Sequence, residues 1–125
     1  GFYMKIYFLL AFTLISAVVN AENLISVGKY QAVNETVYLD KDSITQLQKN
    51  EYVLIQKTSN DMNVYNIWKY NLNDRTSCWQ GWFNHSLSQS EIKTLQSQLI
   101  CYPKPIKPNT INSNVEEFLA NYNHL

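Results

Sequence analysis

Tyr52-Val53-Leu54-Ile55 is an unbroken apolar run inside a β-forming segment, Glu51 to Thr58. Such a run, without polar alternation, suits a central strand buried on both faces. Two more β-forming segments follow at close range. Val64 to Leu72 carries Tyr65, Trp68 and Tyr70, and Thr76 to Phe83 carries Cys78, Trp79 and Trp82. The breaks between them, Ser59-Asn60-Asp61-Met62-Asn63 and Asn73-Asp74-Arg75, are short and rich in turn formers. Strands joined this tightly form an antiparallel meander, because a parallel return needs a long crossover.

Upstream, Leu24 to Tyr30 alternates weakly and reads as a first strand. Val33 to Leu39 reads as a second, stopped by the polar cluster Asp40-Lys41-Asp42-Ser43. Ser43 to Leu47 is expected to turn and return Ile44 to the core. Downstream the period changes. Ser88-Gln89-Ser90-Glu91 is a capping box, and Ile92, Leu95 and Leu99 follow at helical spacing. Tyr102 to Pro108 holds three prolines and cannot be helical. A second box, Ser113-Asn114-Val115-Glu116, is expected to open a last helix with the stripe Val115, Phe118, Leu119 and Tyr122. The expected fold class is α+β: an antiparallel meander sheet of about four to five strands with two amphipathic helices packed on one face.

The first residues are set apart from that domain. Behind Met4-Lys5 lies an apolar run from Ile6 to Val19, closing on Val19-Asn20-Ala21. A basic residue, an apolar stretch and a small-residue site define a secretory signal peptide, here cut after Ala21. The run falls short of the ~20 residues a membrane-spanning helix needs. Gly1-Phe2-Tyr3 precede the plausible start and read as a tag or start remnant. Residues 1–21 are therefore a leader, and 22–125 a single exported domain. No Cys follows the expected cut, so the mature chain is expected to be periplasmic or secreted without a lipid anchor.

In an exported chain, the two cysteines, Cys78 and Cys101, read as a disulfide. Closing that loop constrains the unfolded chain by roughly 3 kcal/mol. Two Cys and the two His, His85 and His124, match no zinc spacing, and no metal or other cofactor is expected.

Charge narrows the partners. Ten basic residues balance ten acidic ones, and 15 Asn and 8 Gln outnumber the charges. A nucleic-acid binder would show a basic excess, so no nucleic acid is expected. Asp40 and Asp42 offer two carboxylates but lack the glycine turn of a calcium loop, and read as a solvated turn. His85 lies in the loop Asn84-His85-Ser86 with no carboxylate beside it, and no catalytic set emerges. Asn34-Glu35-Thr36 and Asn84-His85-Ser86 match glycosylation acceptors, which matter only in a host that glycosylates.

The aromatic set Trp68, Tyr70, Trp79, Trp82 and Phe83 carries more content. On neighbouring strands these rings form a candidate binding surface for a sugar, a peptide or a partner protein. Strict alternation places Trp79 and Phe83 on one face and Cys78 and Trp82 on the other.

Thr36-Val37-Tyr38-Leu39-Asp40 with Asp42-Ser43-Ile44, the strand Tyr52-Val53-Leu54-Ile55, the strand holding Cys78, and Ile106-Lys107-Pro108-Asn109-Thr110 before the last helix together resemble the surface-adhesin protein E family of small exported bacterial proteins. The resemblance spans most of the mature chain through short motifs. It departs from the family in its second cysteine, which there lies in the last helix, and in lacking the lipid-bearing cysteine of the adhesin that names the family. The resemblance implies adhesion to host matrix proteins; the lack of a catalytic set, the single staple and the aromatic strands point to a non-enzymatic binding protein engaging a protein partner, a host matrix protein or a secreted enzyme. The alternatives are a periplasmic inhibitor or immunity-type protein, inserting Phe83–Ser90 or Tyr102–Thr110 into its target, and a small hydrolase built on His85.

Overall fold

The computed structural model describes residues 23–122, so the signal peptide expected over residues 1–21 lies outside the described residues. Six strands form one antiparallel sheet in sequence order: β1 (Leu24–Tyr30), β2 (Glu35–Gln48), β3 (Glu51–Thr58), β4 (Asp61–Asn71), β5 (Thr76–Phe83) and β6 (Ile100–Cys101). Helix α1 (Gln89–Leu95), followed by a 3-10 turn, sits between β5 and β6, and helix α2 (Ile111–Tyr122) ends the described chain. The α+β meander expected from the sequence is present, with β6 as an additional short strand.

The helices differ from expectation in their placement: they cover opposite faces of the sheet. Tyr52 and Leu54 point into a core closed by Val115 and Leu119 of α2, together with Val37, Leu39 and Tyr70. Val53 and Ile55 point the other way, into a smaller core closed by Ile92 of α1 and flanked by Leu95 and Leu99. The apolar run in β3 demands this arrangement, because one helical layer would leave half of it in water. Burying a side chain of this size is worth about 1.5–3 kcal/mol, so both covers matter to stability.

β2 does not stop at Asp40. It carries extra residues between the pairs Asp40↔Ile55 and Thr45↔Val53, an extended bulge that the polar cluster builds rather than a strand end. The Ser43 hydroxyl holds it, donating to the Asp40 carbonyl at 2.7 Å and accepting from the Ile55 amide at 2.7 Å. Asp40 Oδ1 accepts from the Asp42 amide at 3.0 Å, as an Asx turn does. Ile44 reaches the α2-side core as expected.

The Ser88–Glu91 capping box forms with both reciprocal bonds at 3.1 Å. The second box forms one turn earlier than expected. The Thr110 hydroxyl accepts from the Ser113 amide at 3.1 Å, while the Ser113 hydroxyl accepts from the Thr110 amide at 2.8 Å. Glu116 is released from capping and pairs with Arg75 at 3.0 Å.

Helix α2 also bonds one carbonyl of β1. A bulge in β1 falls between Ser26 and Gly28, and Asn114 Nδ2 donates to the Val27 carbonyl at 2.8 Å. Gly28 stands beneath the helix with φ 141°, and a Cβ there would lie 2.9 Å from Ile111. Only glycine meets both the backbone angle and the clearance.

Candidate functional site

The α2 side of the sheet is not fully roofed. What the helix leaves open is an aromatic groove of about 470 Å³ that crosses β1 to β5. That size lies within the usual range of ligand clefts. Trp68 floors it, Trp79 and Trp82 rise from β5, and Tyr102 closes it beyond β6. These are the three tryptophans of the whole chain.

Each ring has a structural reason for its place. Trp68 and Trp79 are paired across β4 and β5, with centroids 6.3 Å apart and planes tilted by 47°. The Trp79 indole lies against Gly81, where a Cβ would come within 2.6 Å of the ring and also strike Asn66 Oδ1. Tyr102 is set by the disulfide. Cys78 and Cys101 are directly paired across β5 and β6 and bridged, with Cα atoms 3.9 Å apart. One residue on, the Tyr102 amide donates to the Ser77 carbonyl at 3.0 Å, and its ring stacks on Trp68 at 6.1 Å and 17°.

Trp82 is the exception to economical packing. It is 76% exposed. Its φ is 74°, in the left-handed region that costs a residue with a Cβ about 1–2 kcal/mol. The angle arises at a bulge, because β5 advances from Gln80 to Phe83 while β4 advances only from Ile67 to Tyr65. The extra residue shifts the alternation by one. Trp82 therefore joins Trp79 at the groove, and Phe83 turns to the α1-side core, which corrects the face assignment that strict alternation gives.

Of the five aromatics singled out in the sequence, the groove brings together Trp68, Trp79 and Trp82. Phe83 is on the opposite face and is no part of this surface. Tyr70 is fully buried behind Trp68, the two rings stacked at 6.0 Å and 18°. Its hydroxyl accepts from Gln56 Nε2 at 2.7 Å and donates to Asn112 Oδ1 at 2.8 Å. Burial pushes its pKa well above the ordinary tyrosine value, partly countered by the Gln56 bond, so the group stays a neutral linker between groove floor and α2. Gln56 itself lines the groove, and Asn66 Nδ2 donates to the Gln56 carbonyl at 3.3 Å.

The ionisable rim was not visible in the sequence. Glu35 and Asp61 line the groove, together with Tyr30 and Tyr102. The Tyr30 pKa is raised by burial first, then by neighbouring Tyr102 and Glu35. Among the described residues the lining holds no Lys, Arg or His.

The other chemical candidates lie elsewhere. His85 turns Nδ1 to the Ser86 carbonyl at 3.1 Å and meets Phe83 edge-on, on the side away from the groove. Asp40 and Asp42 border a shallow depression with Ser43 beside α1. No cluster of three or more His, Cys, Asp and Glu able to hold a metal occurs among the described residues. None of their helices is long and apolar enough to cross a membrane. No protein-family model, curated protein or solved structure matches the chain.

Proposed function

We propose that the chain is an exported, non-enzymatic binding protein, adhesin-like in class, that engages a protein partner through the aromatic groove. Export rests on the leader-like N-terminal sequence and agrees with the disulfide. The adhesin class rests on the motif resemblance to the surface-adhesin protein E family. The single observation that carries binding is Trp82. A large apolar ring held in water on an unfavourable backbone angle weakens the fold, and such local strain concentrates at ligand clamps. Three tryptophans converging on one open cleft add the composition of an interaction hot spot.

The test is capture of host extracellular-matrix proteins by purified Glu22–Leu125, disulfide intact, compared with Trp82→Ala. Saturable binding abolished in the variant is expected. Binding that survives Trp82→Ala, or no binding at all, counts against the groove as the site.

A further inference from the structure

The character of the groove narrows what it accepts. Five rings and the carboxylates Glu35 and Asp61 line it, no cationic side chain among the described residues does, and Lys104 and Lys107 line only the adjoining depression on the far side of Tyr102. Ring faces carry negative electrostatic potential and attract cations within about 6 Å of a centroid, more strongly when water is excluded. Glu35 and Asp61 add full negative charge to the same cleft. Glu35 lies beside Tyr30 at the end of the β1–β2 pairing, and Asp61 opens β4 at the same end of the sheet, paired with Thr58 of β3. Rings and carboxylates of one sign together complement a ligand of the opposite sign.

We infer that the groove recognises a cationic side chain, arginine or lysine, presented by an extended segment of the partner protein. This rests on the reading of the groove as a protein-binding site and adds the chemistry of what enters it. The aliphatic stem of such a side chain lies along the half-exposed rings of Tyr30 and Tyr102. Its charged end lies between Trp82 and the carboxylates. An arginine fits best, since its planar guanidinium stacks on a ring while its edges donate to a carboxylate. A sugar would also stack on the rings, but it draws nothing from the two carboxylates beyond hydrogen bonds.

Because the three tryptophans of the chain all line the groove, intrinsic tryptophan fluorescence reports on this site alone. The experiment titrates the disulfide-bonded protein with a ten-residue peptide of alternating arginine and alanine. The same peptide with citrulline for arginine keeps the shape and removes the charge, and cellotriose serves as a sugar probe. The arginine peptide is expected to bind about tenfold more tightly than the citrulline peptide, the size of one cation–π contact. The difference should shrink as salt rises. It should disappear in Glu35→Gln/Asp61→Asn, whose fold is checked by an unchanged circular dichroism spectrum, and in Trp82→Ala.

Equal binding of the two peptides overturns the cationic preference while leaving the groove a peptide site. Cellotriose binding with neither peptide bound overturns both the inference and the protein-partner reading. No response to any probe also overturns the inference, and capture of matrix proteins then decides separately whether the groove binds a protein.

Discussion

The rings of Trp68 and Tyr102 stand 6.1 Å apart and 17° from parallel, although 34 positions separate them in the chain. Trp68 is rooted in the middle of the sheet. Tyr102 is held there by the bridge one residue earlier, which fixes Cys101 against Cys78, and by its amide bond to the Ser77 carbonyl. The wall of the groove is thus a property of the oxidised protein.

Reduction should therefore act twice. Cys78→Ser/Cys101→Ser is expected to lose about 3 kcal/mol of stability on the chain-entropy model, read from urea unfolding. At urea concentrations where the reduced protein is still folded, Trp68 emission should already differ from that of the oxidised protein. Identical emission in the two folded forms would show that Tyr102 stays on Trp68 without the bridge.

Trp82→Gly should separate stability from binding. Glycine removes the left-handed penalty of about 1–2 kcal/mol but loses more backbone freedom on folding, about 0.5–1 kcal/mol. The variant is expected to equal or slightly exceed the parent in thermal stability while losing ligand binding. A clear drop in midpoint temperature would mean that the indole contributes packing that its exposure does not reveal.

Gly81→Ala tests the other half of the bulge. The added methyl meets Trp79 and Asn66 and should cost about 1–3 kcal/mol, the range for overpacking. Near-ultraviolet circular dichroism should show a displaced tryptophan. An unchanged aromatic spectrum would mean that the bulge relaxes elsewhere.

Tyr70→Phe removes one hydroxyl that serves two partners. Gln56 Nε2 loses its acceptor and Asn112 Oδ1 its donor, the first in a buried side chain and the second in a half-buried one. A cost of about 1–3 kcal/mol is expected from chemical denaturation. Less than about 0.5 kcal/mol would show that the two amides re-pair or admit water.

The α1 cap should respond to acid. Bonds from the Ser88 amide and hydroxyl region hold the Glu91 carboxyl pKa below its ordinary 4.5. A lowered folded pKa contributes stability that is fully present above the ordinary value and is lost as pH falls through the lower folded one. Amide exchange in Gln89–Leu95 should quicken across that acid window, and Glu91→Gln, which removes the titrating carboxyl, should remove the dependence. A cap indifferent to pH in the parent would contradict this.

Periodicity made most of the sheet legible. Leu24–Tyr30, Glu51–Thr58 and Thr76–Phe83 follow from β-formers bounded by turn residues, and the structure gives those limits. The run Tyr52–Ile55 already required a cover on each face. Placing both helices on one side overlooked that demand. The bulges were not legible, because alternation assumes one residue per partner. Ser43 holds an extension of β2 where polar residues imitate a strand end, and the extra residue at Gly81–Trp82 reverses Phe83. Tyr102 was hidden for another reason. Its position comes from a covalent bridge and a bond to Ser77, neither of which leaves a periodic trace nearby.

The bond from Asn114 to the Val27 carbonyl joins residues 87 positions apart. The Val27 carbonyl of the first strand therefore stays without this partner until the last helix has been made. A chain synthesised from its N-terminus holds β1 with an open hydrogen-bonding edge through most of its synthesis, a state that recruits other strands. Deletion of the final helix should consequently do more than remove Val115 and Leu119 from a core. It should fix the chain permanently in its earliest and most self-associating stage, so that truncation appears as aggregation rather than as a smaller soluble sheet.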